Sequence, residues 1–266
     1  MKKLSKYLIV LTAIGLLLSS CSSIIDPDDP FGGNQYTAES SFSFAVNAAD
    51  KEKMELTSIN GDVKIVGVEN QSDVIVAGKK VVKSDSQADA ETYLKNLKVS
   101  LAESGNVLYV ASDQPKENHG RSVAIHYEIQ VPKAWATTVE LTNGSCLLDS
   151  LKGDILTKIT NGNIVLGDVF ANAYLRVTNG QISGNVNLPL NGALNAQTTN
   201  GVISFGVPKT TSARFSAKVT NGTVNVSGLS IDEMRGNQKE IHGIIGSGEG
   251  RIDLETTNGN INVVGF

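Results

Sequence analysis

The sequence predicts an all-β fold built from stacked repeats, and three observations carry that prediction. Glycine is abundant at 26 residues while proline stands at 6, the balance of many short strands joined by tight turns. The tripeptide Thr-Asn-Gly occurs six times, with asparagines at Asn143, Asn161, Asn179, Asn200, Asn221 and Asn258. Their spacings of 18, 18, 21, 21 and 37 residues are those of a stacked repeat. Polarity also keeps one phase about each asparagine. Two residues before it stand Leu141, Ile159, Val177, Thr198, Val219 and Thr256; four before it stand Val139, Thr157, Leu175, Ala196, Ala217 and Leu254. Between them come Glu140, Lys158, Arg176, Gln197, Lys218 and Glu255. Apolar or β-branched residues alternate with polar ones, which is the pattern of a half-buried strand.

The N-terminus reads as an address. Lys2, Lys3 and Lys6 precede an apolar run from Leu8 to Leu18, too short to span a bilayer, which needs about 20 residues. The run fits the core of a secretory signal. It ends in Leu18-Ser19-Ser20-Cys21, which resembles the bacterial lipobox, so residues 1–20 are expected to be cleaved and Cys21 to be lipidated. Losing those three lysines takes the formal charge from −4 to −7, so acyl chains rather than basic residues would hold the membrane. Residues 21–40, with Asp26, Pro27, Asp28, Asp29, Pro30, Gly32 and Gly33, read as a tether. Ser22 after the cysteine favours the outer membrane, and the acidic cluster resembles the export signals of surface lipoproteins.

Residues 41–266 are expected to form one domain. In its first half, Asn60-Gly61 repeats the later turns, with Val63 and Ile65 in phase after it. Val74 to Val82 reads as a strand. Ser84 and Gln87 are spaced as a capping box for a short helix from about Asp85 to Asn96, with Ala90, Tyr93, Leu94 and Leu97 on one face. Val107 to Val110 and Val123 to Val131 return to strand. In the second half, Cys146, Ile164, Ile182, Ile203, Val224 and Ile261 follow each asparagine by three and begin a second strand. The unit is therefore strand, Asn-Gly corner, strand, since both corner residues tolerate positive φ. Equal residues returning in one phase favour a β-solenoid or flattened β-helix. Asn-Gly is also a hairpin signal, so an antiparallel β-sandwich is the alternative. The 37-residue gap is expected to hold a loop at Ser230 to Glu240. An open stack end exposes strand edges, so a cap or partner is expected there, with Phe266 closing the chain at one end.

These features resemble the DUF4097/DUF2807 group of adhesin-like bacterial domains, also called head GIN or Toastrack domains. The stretches that carry the resemblance are Ile241 to Gly248, Ile252 to Gly259, and Val131-Pro132-Lys133 leading into Val139 to Gly144. It implies an envelope protein without catalytic residues.

The composition excludes several classes. With 3 histidines and 2 cysteines a metal cluster is not expected, and a formal charge of −4 without a basic patch argues against nucleic acid. Cys146 occupies the isoleucine stripe and reads as core. His119, His126 and His242 are far apart, and Asp149, Asp154 and Asp168 stand at different repeat phases, so no catalytic set and no cofactor is expected. Gly246-Ser247-Gly248 reads as a plain loop. The row Glu140, Lys158, Arg176, Gln197, Lys218 and Glu255 reads as a charge ladder that keeps the sheet soluble, with a binding face as the alternative. The expected function is a non-catalytic envelope lipoprotein with an adhesin-like β-repeat domain that presents a surface for binding or scaffolding, the partner classes being a glycan or an envelope protein. A carbohydrate-active or carbohydrate-binding module and an envelope-stress component are the alternatives, with tyrosines such as Tyr93, Tyr109, Tyr127 or Tyr174 marking a glycan face.

Overall fold

A computed structural model describes residues 34–115 and 118–266. The expected signal segment and Cys21 lie outside the described residues. In chain order the elements are β1 (Tyr36–Asn47), β2 (Lys53–Asn60), β3 (Val63–Val68), β4 (Asp73–Ser84), α1 (Gln87–Leu94), β5 (Lys98–Ser104), β6 (Val107–Asp113) and β7 (Ser122–Pro132). The repeats follow as β8 (Ala136–Asn143), β9 (Cys146–Asp149), β10 (Ile155–Asn161), β11 (Ile164–Phe170), β12 (Ala173–Asn179), β13 (Ile182–Asn187), β14 (Ala193–Asn200) and β15 (Ile203–Val207). The chain closes with β16 (Ala213–Asn221), β17 (Val224–Ser227), β18 (Asp232–Asn237), β19 (Glu240–Ile245), β20 (Gly250–Asn258) and β21 (Ile261–Gly265). Strand β1 begins at Tyr36, inside the span assigned to the tether, because it pairs along its whole length with β4. Among the described residues no helix is long and apolar enough to cross a membrane.

Each repeat is a rung of two strands that meet at an Asn-Gly corner. First strands join one sheet and second strands the other, and neighbouring rungs pair in parallel with equal residues opposite each other. The stack is thus a flattened, solenoid-like β fold. Antiparallel pairs among the described strands occur only at its two ends. Inward rows from both sheets form one core. In one of these rows Gly184 lies between Leu166 and the buried Phe205, and a Cβ there would stand 2.1 Å from the Leu166 carbonyl oxygen.

The corners explain the tripeptide. Gly180 has φ +144°, and a Cβ there would stand 1.8 Å from the Gly162 carbonyl oxygen. The other corner glycines meet the next rung in the same way, Gly201 against Gly180 and Gly259 against Gly201. Both the dihedral and the contact therefore demand glycine. The Gly180 N–H donates to the Asn200 carbonyl at 2.9 Å, carrying the sheet hydrogen bonding through the bend. Beside it the asparagine amides form a continuous ladder. Asn179 Nδ2 donates to Asn161 Oδ1 and Asn200 Nδ2 to Asn179 Oδ1, each at 2.8 Å. The same bond links Asn143 to Asn60, Asn161 to Asn143, Asn258 to Asn200 and Asn221 to Asn258. Gln114 ends the ladder beyond Asn60: its Oε1 accepts from the Asn60 N–H at 2.7 Å and its Nε2 donates to the Asn60 carbonyl at 2.8 Å.

Spatial and chain order part company at both ends. The first sheet runs β18-β19-β16-β20-β14-β12-β10-β8-β2-β6-β5 and the second β1-β4-β7-β3-β9-β11-β13-β15-β21-β17. The last rung of the chain, β20/β21, is therefore wedged between β14/β15 and β16/β17. Phe266 accordingly does not close the stack; its N–H donates to Val207 in the neighbouring rung. The region expected to be a loop, Ser230 to Glu240, instead enters the hairpin β18–β19, which pairs antiparallel with β16 and covers that end of the first sheet. At the other end β1, β4, α1 and β5 lie beyond the β6/β7 rung.

Helix α1 starts later than its sequence suggests. The cap is Ser86, whose hydroxyl accepts from the Asp89 N–H at 3.2 Å. Ser84 still belongs to β4, opposite Tyr36, so its backbone stays extended. Its hydroxyl donates to the Asp89 carboxylate, which also takes two bonds from Arg121, at 2.6 and 2.7 Å. The Arg121 guanidinium, and after it Ser84, holds the Asp89 carboxyl at about 2, below its ordinary 3.8.

Two predictions follow from these contacts. Gly180→Ala is expected to destabilise the chain by about 3 kcal/mol or more, from strain plus overlap. Asn179→Ala, which removes two ladder bonds, should cost about 1 to 2 kcal/mol. Urea unfolding of both variants checks the ranking, and a smaller loss for the glycine would contradict it. A depressed carboxyl pKa contributes stability above the unfolded value and loses it as pH falls through the folded one. The Asp89 contribution is therefore present above about pH 4 and lost towards pH 2. Asp89→Asn should flatten the fall in stability across that window, and unchanged slopes in acid titration would contradict the assignment.

Candidate binding face

The outward face of the first sheet is built row by row from the strand register. Glu140, Lys158, Arg176, Gln197, Glu255 and Lys218 do form a single row, in that spatial order, flanked by Thr57 and Glu240. Glu255 precedes Lys218 because its rung is the inserted one. Lys158 Nζ lies 3.1 Å from Glu140 Oε1, and Arg176 Nη2 donates to Gln197 Oε1 at 2.6 Å. These pairs are exposed and contribute little to stability, about 0 to 1 kcal/mol each.

A second row runs beside the first: Tyr109, Glu55, Thr138, Leu156, Tyr174, Asn195, Asp253 and Ser216. Tyr109 is 39% exposed, and the Arg176 guanidinium stands 5.8 Å from the Tyr174 ring centroid. Asn195 Oδ1 is buried with no hydrogen-bond partner. On the other side of the charged row, next to the asparagine ladder, Thr142, Thr160, Thr178, Thr199, Thr257 and Thr220 are all exposed. Two shallow depressions cross this face. One of about 430 Å³ touches Thr138, Leu156, Tyr174 and Asn195; one of about 400 Å³ touches Glu140, Thr142, Lys158 and Arg176.

The other residues singled out in the sequence do not converge. Cys146 is fully buried between Val63 and Ile164, and burial pushes its thiol pKa far up. His126 Nδ1 accepts from the Asp62 N–H at 3.1 Å, His242 lies 3.0 Å from Glu240, and His119 sits in a turn at φ +50°. Asp149 accepts from the Asp168 N–H at 2.9 Å on the second sheet, whereas Asp154 accepts from Asn172 at a corner of the first. Tyr127 is buried, with its hydroxyl raised to about 12 by burial, and Arg121 covers the Tyr93 ring at 4.6 Å. Of the four tyrosines, Tyr109 and Tyr174 alone lie on the outward face. Among the described residues no group of three or more His, Cys, Asp or Glu side chains is placed to hold a metal ion.

The sequence profile of the Toastrack DUF4097 family matches residues 36–264. The chain belongs to that family. A candidate cell adhesion protein from Clostridium sporogenes shares the Toastrack architecture at TM-score 0.50 and 15% identity, over 86% of this chain and 100% of its own. A candidate adhesin from Bacteroides fragilis matches at TM-score 0.41 and 11% identity, over 85% of this chain and 97% of its own. One from Parabacteroides merdae matches at TM-score 0.36 and 11% identity, over 87% and 97%. None of the curated proteins compared with the chain matches it.

Proposed function

We propose that this Toastrack protein is a non-catalytic envelope lipoprotein whose first sheet presents a binding face for glycan chains. The observation that carries the reading is the pairing of rows on one face. A stripe with Tyr109, Leu156 and Tyr174 offers apolar and aromatic surface, and the parallel rows of charged, amide and hydroxyl groups offer hydrogen bonds at each rung. Neighbouring strands lie about 4.8 Å apart, so a chain polymer laid along the stack meets similar groups repeatedly. Aromatic faces and fixed polar groups together suit sugars, which carry apolar faces and many hydroxyls.

In this reading residues 1–20 direct export and Cys21 carries the lipid. The segment between Cys21 and Tyr36 spaces the stack from the outer membrane, and the stack is displayed at the cell surface. The cell adhesion name borne by the Clostridium sporogenes protein agrees with such a role.

Protease treatment of intact cells tests this display, together with palmitate labelling. The expected outcome is label that depends on Cys21 and loss of the folded domain from intact cells. Protection until the outer membrane is breached would contradict surface display and place the face towards the periplasm.

A further inference from the structure

The end of the binding face nearest β18–β19 differs chemically from the rest. A groove of about 620 Å³ opens there between the hairpin and the outward side chains of β16 and β20. The chain has five arginines, and three of them, Arg214, Arg235 and Arg251, line this groove. Two carboxylates, Glu233 and Asp253, also line it. Asp253 is bonded to Arg251. Arg214 and Arg235 have no carboxylate partner among the described residues.

Two details say that this concentration of charge is not needed by the fold. Arg214 and Arg251 are direct cross-strand partners, and like charges so placed destabilise a sheet. The pairing of β18 with β19 also shifts register between Asp232 and Arg235, and Glu233 within the shift holds a left-handed φ of +50°. Such bulges re-aim side chains, and strained non-glycine residues gather at functional sites. Here the irregularity immediately precedes Arg235, the arginine that the hairpin contributes to the groove.

Resting on the glycan reading above, we propose that this groove selects acidic glycans, with Arg214 and Arg235 receiving a sugar carboxylate or phosphate and Arg251, paired with Asp253, beside them. A guanidinium binds either oxyanion through two parallel N–H bonds. Ser216, His242 and Asn195 lie in the adjoining row, where neutral sugar hydroxyls of the same chain would follow. The protein is acidic overall, so this local reversal of sign discriminates between ligands rather than adding general attraction.

The test uses the full-length protein in detergent micelles on a panel of uronate-bearing, sialate-bearing, phosphate-bearing and neutral glycans. Phosphatidylglycerol vesicles form a separate arm. Acidic glycans are expected to be held more tightly than neutral ones, and less tightly as salt rises. The double variant Arg214→Gln/Arg235→Gln should weaken them roughly tenfold or more, the scale of one lost charge-assisted contact, with its unfolding midpoint unchanged. Equal retention of acidic and neutral glycans, or no effect of the double variant, would overturn the groove while leaving the glycan-binding face standing. Retention of no glycan at all would overturn both. Binding to the anionic vesicles alone would assign the arginines to lipid phosphate and overturn the glycan proposal.

Discussion

The corner glycines set the distance and phase on which the rest of the structure depends. At each corner a backbone oxygen of the neighbouring rung occupies the place a Cβ would take, as the Gly162 oxygen does 1.8 Å from the position of a Gly180 Cβ. Rungs approach closely enough for parallel pairing to continue through the bend only because no side chain is there. Once the corners are in register, the asparagine amides line up and satisfy each other, and the rows inherit the same phase up to a bulge in β11 between Leu166 and Asp168. Core rows, threonine rows and charged rows are consequences of one repeated contact.

That constraint fixes phase but not order. The rung β20/β21 fits between β14/β15 and β16/β17 because its corner, Asn258-Gly259, is chemically the same as theirs. The insertion leaves β16 next to the hairpin β18–β19, so that Arg235 of the hairpin lines one groove with Arg214 and Arg251. It also ties the C-terminus into the interior of the stack, so at that end the edges belong to short or charged strands, β17 and β18, which resist further pairing.

Much of this was legible in the sequence. The alternation around each asparagine identified inward and outward residues, and Cys146 fell in its isoleucine stripe. The row from Glu140 to Lys218 emerged as one surface because its members share a phase. What escaped depends on long-range pairing. The order of the last two rungs is invisible locally, since β14, β16 and β20 carry interchangeable corners. Gln114 lacks the tripeptide, and its place at the end of the ladder comes from β6 pairing with β2, whose strands are separated by 46 residues between Asn60 and Val107. The hairpin was read as a loop because all of β18 faces solvent and shows no alternation. The arginine groove did leave a trace: Arg214 and Arg251 each stand seven residues before their asparagines, but Arg235 joins them only because the inserted rung leaves β16 beside the hairpin.

The account rests most directly on that rung order, since it sets the sequence of charges along the row and seats the hairpin against β16. Backbone amide NOEs in a deuterated sample read it without mutation. Strong contacts are predicted between the strands of Gln197 and Glu255 and between those of Glu255 and Lys218, with none joining Gln197 directly to Lys218. A direct β14–β16 contact would mean that the rungs stack in chain order, and would reorder the charged row and dissolve the groove.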